Sequence, residues 1–467
     1  MGRITLTDLQ LIPESSVKIP VNSGIPEMTG VSIDSRMICP GEIFFAIKGE
    51  RFDGHSFLKD VIRLGVKAVV VSRQWTSLDS DFGKEVIIVS VPDTRKALAQ
   101  LAFIHRNKYA IPIIGITGTN GKTTTKEMTA AVLGKKYSVV KSECNYNNQI
   151  GLPLTLFRLS GTVEAAVLEM GASFPGEIDI LCGIAHPTYG VITNIGKAHL
   201  EFFKTQEEIY RTKTALLSFV ECRGAGFING DDPFLKKAKE TFKDIYTFGL
   251  GNDADIRGDK LVMLKSGGYS FILNGGEQIT MKVLGIKNVY NGLAAASVGL
   301  KLGVDEHSIA DALESYTGYK QRMEFSEWRG IFVINDSYNA NPDSMKAALE
   351  FLASYPVTGR RFAVLGDMLE IGESSRDEHS EVGKEAAKLN IDAVVTVGKE
   401  SLYMTRSARE AGIMSARHCE THKEAAQLLS AELMPGDALL VKGSRGSTME
   451  KVLEYLYSFG IKNGVQN

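Results

Sequence analysis

The stretch Gly115-Ile-Thr-Gly-Thr-Asn-Gly-Lys-Thr-Thr-Thr-Lys-Glu127 constrains this chain more than any other. An apolar run, Ile111 to Ile116, leads into it, broken by Pro112 and Gly115. Glu127-Met-Thr-Ala-Ala-Val-Leu133, a good helix sequence, follows. A glycine-rich turn between a buried strand and a helix gathers backbone N–H groups in front of a positively polarised helix N-terminus. Lys122 adds a full charge, and the Thr123 hydroxyl can join the shell of a phosphate-bound Mg²⁺. The strict phosphate-loop pattern has a further glycine with four residues between it and Gly121, where Ile116 stands. Gly118 to Thr123 is thus a shortened variant. An ordinary glycine-rich turn is the alternative. The flanking strand and helix and the triple threonine favour a phosphate cradle made of Gly118, Thr119, Asn120, Gly121, Lys122, Thr123 and Thr124.

A chain of 467 residues is too long for one core; domains of roughly 100–200 residues imply two to four of them. A net charge of −2 argues against a general nucleic-acid or membrane-surface binder, which needs a positive field. Cys39, Cys144, Cys182, Cys222 and Cys419 form no C-x-x-C pair, which fits a reducing cytosol and argues against a zinc site or disulfide framework. The N-terminal MGRITLTDLQLIPESS has no apolar signal core, and no apolar run reaches the ~18 residues of a membrane span. The expected location is the cytoplasm.

Apolar runs at Phe44 to Ile47, Ala68 to Val71 and Val86 to Val89 predict strands of a small α/β unit over 1–109, with helices at Phe57 to Leu64 and Thr94 to Asn107. Over 110–325, strands at Val163 to Met170, Gly190 to Ile195, Gly226 to Asn229 and Ile245 to Gly249 alternate with helices, which predicts a parallel sheet covered on both faces. Gly268 to Leu273 and Gln278 to Val283 read as antiparallel strands, followed by helices at about 289–301 and 305–316. From 326 to 467 the alternation restarts, with strands at Ile331 to Ile334, Phe362 to Leu365, Ala393 to Val397 and Ala438 to Val441. This part has no second phosphate loop and reads as Rossmann-like. The fold class is α/β in three domains.

In open α/β sheets, ligands sit beyond the carboxyl ends of the strands. Glu169 ends one strand and resembles the acid that holds Mg²⁺ in phosphate-loop enzymes. Val191 to Ile195 leads to His199, a candidate metal or phosphate contact. Asp336 and Asp367 end strands further on. Lys442, Ser444 and Arg445 offer two cations and a hydroxyl, a landing for a carboxylate.

Gly-Thr-Asn-Gly-Lys-Thr, Leu168-Glu-Met-Gly171, Thr193-Asn-Ile-Gly-Lys-Ala-His199, Lys213, Asn288-Val-Tyr-Asn291, Arg322 and Asn335-Asp336 occur in that order. Together they resemble the Mur ligase family, ATP-dependent amide-bond-forming enzymes of peptidoglycan precursor synthesis, over essentially the whole chain. Within it the chain is most similar to members that add D-alanyl-D-alanine to UDP-N-acetylmuramoyl-tripeptide. The stretches carrying this are Asp34-Ser-Arg36, Phe44 to Phe57, Asn145 to Leu154, Asn335 to Asp343 and Leu365-Gly-Asp-Met-Leu-Glu370. The Asp-Asn-Pro-Arg stretch of diaminopimelate-adding relatives is absent, as is a Gly-Thr-His-Gly-Lys loop.

The resemblance implies two steps: a carboxylate attacks the γ-phosphate of ATP, and an amine then displaces phosphate from the acyl phosphate. It implies ATP and two Mg²⁺, with Thr123 and Glu169 on one ion and His199 on the second. Lys213, otherwise an ordinary helix lysine, matches a lysine carried as a carbamate. Asn288 and Asn291 would lie near adenine or ribose. Arg322 would reach the γ-phosphate and Asp336 the ribose, with Tyr338 and Asn339 lining the nucleotide. Ser35, Arg36, Lys48 and His55 would meet the UDP end, and Asn145, Asn147, Asn148 and Gln149 the sugar or peptide. Asp367, Lys442, Ser444 and Arg445 would hold D-Ala-D-Ala. A monomer is expected, open between its second and third domains before ligands bind. The alternatives are another Mur ligase, a folylpolyglutamate-synthase-like enzyme, or a phosphate-loop ATPase that switches a partner.

Overall fold

The computed structural model describes residues 2–20, 27–50, 52–75, 86–221 and 223–462, so Arg51 and Cys222 lie outside it. Three sheets follow one another along the chain. The first orders its strands Ser16–Lys18, Ile87–Val91, Ala68–Ser72, Ile43–Phe45 and Val31–Ser32, parallel except at the Ser16–Lys18 edge. The second has nine strands. Ile113–Thr117 lies inside it between Tyr189–Ile192 and Ala165–Glu169, all parallel. Ile256–Met263 is the seam: it pairs in parallel with Ile245–Gly249 and antiparallel with Tyr269–Leu273. Gln278–Met281 closes the antiparallel end. The parallel strands are buried on both faces, as their unbroken apolar runs require.

The third sheet is parallel through Ile331–Asp336, Ala438–Lys442, Arg361–Gly366, Ala393–Val397 and Ser415–Cys419. Its first strand is not the expected one. Glu324–Trp328 precedes it, antiparallel to Ile331–Asp336 and crossing the expected boundary at 326. This edge strand is mostly exposed and carries two glutamates, so the search for apolar runs passed it by. Arg329 and Gly330 turn the hairpin, both at positive φ (55° and 75°), the hand that matches strand twist. The hairpin brings Met323 beside Asp336, where the Met323 N–H donates to Asp336 Oδ1 at 3.0 Å.

One apolar core runs unbroken from the first sheet into the second. It includes Phe45, Val70 and Val89 together with Leu156, Leu168 and Leu181. The third sheet has its own clusters on its two faces, one of which also takes in Leu284.

Candidate active site

The loop after Ile113–Thr117 needs its glycines. Gly118 (φ 145°) and Gly121 (φ 82°) occupy conformations that L side chains avoid. A Cβ at 118 would lie 1.9 Å from Thr193 Oγ1, and one at 121 would lie 2.4 Å from Asn291 Oδ1. The loop is clamped from the strand end next door. The Thr119 N–H donates to the Asn194 carbonyl at 3.0 Å, the Asn120 N–H to Asn194 Oδ1 at 3.0 Å, and the Thr193 hydroxyl to the Asn120 carbonyl at 2.6 Å. Lys122 opens the helix Lys122–Leu133, and its ammonium donates to the carbonyls of Gly118 and Thr119 at 2.8 and 2.9 Å. Burial lowers its pKa to about 8; Glu169 opposes that shift and Arg322 adds to it.

Glu169 is 3% exposed. Its Oε1 accepts from Asn147 Nδ2 at 3.0 Å, while Oε2 is buried with no partner. An orphaned carboxylate oxygen in a cavity that the buried Thr123 also lines fits a cation held partly by phosphate oxygens. No group of three His, Cys, Asp or Glu among the described residues could hold a metal by itself, so phosphate would have to complete the shell. His199 faces the same cavity, and its Nδ1 meets the carboxylate of Glu370. Burial lowers the His199 pKa against the pull of Glu370, with Lys122 adding to the shift. Lys213, on the helix Gln206–Val220, is 3% exposed, and no described hydrogen bond or ion pair reaches its ammonium. Burial, then the charge of Lys122, hold its pKa well below that of an ordinary lysine.

The cavity, of about 980 Å³, runs from the phosphate loop between the helices Ile286–Lys301 and Pro342–Ser354. Asn288, Asn291, Arg322, Asp336, Tyr338, Asn339 and Lys442 line it, with Asn147 and Asn148 at its other side. Several of them are already engaged. Asn291 Oδ1 accepts from Thr125 Oγ1 at 3.1 Å and its Nδ2 donates to Asn288 Oδ1 at 2.9 Å, so the pair braces the phosphate loop from behind. Asp336 Oδ2 takes the Lys442 ammonium at 2.5 Å. The Arg322 guanidinium stacks 4.0 Å over the Tyr338 ring and leaves Nε buried and unpartnered.

The third sheet domain sits on the phosphate loop, not across a wide cleft. The side-chain amides of Asn120 and Asn341 exchange hydrogen bonds at 3.3 and 2.8 Å. Asp343 Oδ2 accepts from the Lys197 N–H at 2.7 Å, an approach that leaves room for no Cβ at Gly196, and Lys197 Nζ meets Glu378 at 2.6 Å. These polar pairs close the gap that the sequence reading left open.

The residues expected to hold D-Ala-D-Ala have mostly other partners. Lys442 is spent on Asp336. The Asp367 carboxylate accepts from the Ser401 N–H at 2.7 Å. Ser444, 3% exposed, accepts from the Leu369 N–H at 2.9 Å and donates to the Ala340 carbonyl at 3.2 Å. Arg445 keeps an exposed guanidinium, beside Gln321 and Glu450. In the first domain, both ring nitrogens of His55 are used: Nδ1 on Asp53 at 2.6 Å and Nε2 accepting from the Ser72 N–H at 3.0 Å. That ring holds the fold and has no nitrogen left for a nucleotide. Arg36 is exposed but paired with Asp34, whose carboxyl it holds down at about 2. Ser35, Lys48, Asn145 and Gln149 lie outside the cavity lining, and Asn148 Oδ1 accepts from the Ile150 and Gly151 N–H groups at 3.1 and 2.9 Å where the helix Gly151–Leu156 begins. Thr193, Asn194, Asn341, Asp343 and Glu370 lie in stretches that carried the family resemblance, but the sequence reading gave none of them a role of its own. Asn341 also carried a local signal, as a helix-capping residue before Pro342.

A phosphate loop backed by an orphaned acid, with a buried lysine alongside and a third domain closing on it, is what an ATP-dependent ligase needs. Residues 27–106 match the Mur ligase family catalytic domain, 116–299 the Mur ligase middle domain and 321–445 the Mur ligase glutamate ligase domain. The chain belongs to the Mur ligase family, enzymes that use ATP to form C–N bonds. It is 36% identical over 430 residues to the UDP-N-acetylmuramoyl-tripeptide–D-alanyl-D-alanine ligase of Bacillus subtilis, covering 91% of this chain and 93% of that one. A crystal structure of MurF from Acinetobacter baumannii superimposes with a TM-score of 0.88 at 31% identity, covering 98% and 99% of the two chains. MurF from Thermotoga maritima, solved in complex with ADP, gives 0.82 at 29% identity, covering 94% and 99%.

Proposed function

We propose that this chain is a ligase that joins D-alanyl-D-alanine to UDP-N-acetylmuramoyl-tripeptide, converting ATP to ADP and phosphate, in cytoplasmic peptidoglycan precursor synthesis. The observation that carries the reading is the site itself: Glu169 with an unpaired buried oxygen beside a glycine-clamped loop and Lys122. A named relative alike over nine-tenths of both chains supports the choice of substrates.

The chemical problem is to bring two anions, a carboxylate and a triphosphate, into contact. The loop N–H groups and Lys122 spread positive charge over the β- and γ-phosphates, and Arg322, which lines the same cavity, neutralises the γ-phosphate. The peptide carboxylate attacks the γ-phosphorus and ADP leaves. The dipeptide amine then attacks the acyl carbon, and phosphate departs from a tetrahedral intermediate. Thr123, Glu169, His199 and a carbamate on Lys213 would hold two Mg²⁺, which would supply charge neutralisation and alignment. Burial lowers the Lys213 pKa and so favours the neutral amine, the form that captures CO₂: the amine nitrogen bonds carbon and a proton passes to water. The resulting anion would offset the charge of Lys122.

Asn147 and Asn148 would face the peptide, and Arg445 the dipeptide carboxylate. Residues 1–109 would bind the UDP end, 110–325 ATP, and 326–467 the incoming dipeptide, in a monomer. The test is ADP release by the purified protein with UDP-muramoyl-tripeptide, with and without D-Ala-D-Ala. Release that requires both is expected. Turnover independent of either would sink the ligase reading in favour of an ATPase.

A further inference from the structure

His199 and Glu370 face each other across the junction of the second and third domains, and both backbones are in the left-handed region, at φ 51° and 62°. Such a conformation is unfavourable for a non-glycine residue and persists where surrounding contacts impose it. Those contacts are present on both sides. On the central side, the His199 carbonyl accepts from the N–H groups of Phe202 and Phe203 at 2.9 and 3.0 Å. On the third-domain side, the strap 367–371 is pinned at three points. The Asp367 carboxylate takes the Ser401 N–H at 2.7 Å, the Met368 N–H donates to His379 Nε2 at 3.0 Å, and the Leu369 N–H donates to Ser444 Oγ at 2.9 Å. The strap then touches the central domain directly. The Glu201 N–H donates to the Glu370 carbonyl at 3.2 Å, and Gly372 (φ 69°) comes so close to Glu201 that a Cβ there would lie 3.0 Å from its Cα.

A carboxylate only accepts, so His199 Nδ1 donates to Glu370 and the lone pair is left on Nε2. His199 lines the cavity, whereas Glu370 does not. We propose that Glu370 is a positioning residue, delivered by the third domain, that fixes the tautomer and ring orientation of His199 so that Nε2 is presented to a cation. The cation-holding set of the central domain is therefore complete only when the dipeptide-binding domain is docked. This rests on the reading of His199 as a cation ligand, and the experiment separates the two.

Mn²⁺ is titrated into the full-length protein with a non-hydrolysable ATP analogue and followed by electron paramagnetic resonance. His199 is ¹⁵N-labelled, and its tautomer is read by NMR in Mg²⁺. Glu370→Ala should weaken the weaker Mn²⁺ site about tenfold or more and mix the His199 tautomers. Glu370→Gln, which keeps the side chain's bulk, should do the same, and Glu370→Asp should restore part of both. His199→Ala should lose that Mn²⁺ site. Lys197→Ala, which breaks the neighbouring junction pair with Glu378 without touching His199, should leave Mn²⁺ affinity within twofold. If Glu370→Ala and Glu370→Gln keep wild-type affinity and tautomer while His199→Ala loses the site, the positioning role is overturned and the His199 reading stands. If Lys197→Ala weakens Mn²⁺ as much as Glu370→Ala does, Glu370 is only a docking contact and the proposal is overturned. If His199→Ala leaves both Mn²⁺ sites intact, the reading of His199 itself falls.

Discussion

The second domain meets its two neighbours in opposite ways. Towards the first domain the core is continuous, and the helix Thr94–Arg106 seals it: His105 is fully buried with Nε2 on the Leu159 carbonyl at 3.1 Å. Arg106, 7% exposed, donates to the Ala185 and His186 carbonyls at 2.8 and 3.2 Å, capping the end of Glu177–Ala185 with a cation. Towards the third domain the contacts that reach the phosphate loop and the 196–201 segment are polar and partly exposed: the Asn120–Asn341 exchange, Lys197 with Asp343 and Glu378, and His199 with Glu370. Apolar burial is hard to undo in water, whereas polar pairs at an edge trade readily with solvent. The first junction is an apolar platform; the second, around the phosphate loop, is closed and held there by polar pairs, with Leu284 its link to the third domain's core.

The largest effect expected lies at the meeting of the two regions. Lys122→Ala should cut kcat by roughly 10³ or more with little change in Tm; near-normal turnover would refute the phosphate-loop assignment. Arg106→Ala should cost about 2–3 kcal/mol of stability with kcat little altered, measured by denaturant unfolding. It leaves the carbonyls of Tyr109, Ala185 and His186 without this donor, and a loss under 0.5 kcal/mol would mean that the first junction is no firmer than the second.

Asn341→Ala reverses that pattern. It removes a helix cap worth about 1 kcal/mol together with the loop contact, and should lower kcat about tenfold by weakening closure. Unchanged kcat would show that the Asn120–Asn341 exchange has no part in turnover. Lys213→Met should raise Tm at pH 7 by replacing a buried unpaired amine, on the order of 1 kcal/mol, while turnover is lost. The sign follows from linkage. A lysine whose folded pKa is depressed destabilises the fold fully below that pKa, and stability returns as pH rises towards the unfolded 10.5, because the unfolded chain then holds the extra proton. In CO₂-free buffer the wild type should therefore gain more stability than Lys213→Met between neutral and alkaline pH; equal slopes would remove Lys213 from the account. Smallest of all, Lys197→Ala should cost at most about 0.5 kcal/mol, since its ammonium is half-exposed. A loss of several kcal/mol would mean the second junction is as firm as the first.

Much of the fold was legible because parallel strands buried on both faces have to be apolar runs. Ala68–Ser72, Ala165–Glu169 and Ala393–Val397 could not be hidden by their surroundings. Glu324–Trp328 was missed for the converse reason: an exposed edge strand has no burial to impose a pattern. The site divided in the same way. Gly118, Gly121 and Lys122 are close in sequence and announce themselves. Glu370, Asn341 and Asp343 act on groups more than 140 residues away, so the stretches that contain them could not say what each would touch. Ser444, Asp367 and Lys442 were legible as polar strand ends, but which partner each would take was not.

By itself, the sequence determined the α/β class, the phosphate loop, and the resemblance from which the chemistry was read. These rest on short-range geometry: a strand, a tight turn needing positive φ, and a helix whose N-terminus meets phosphate. Only the tertiary structure decided which polar residues are left for ligands and which are consumed by the protein. It paired Lys442 with Asp336, set both nitrogens of His55 to holding the first domain, and, among the described residues, left Glu169 Oε2 without a partner and Lys213 buried. A side chain's availability depends on what lies within about 3 Å of it, and that is set by contacts between segments far apart in the chain.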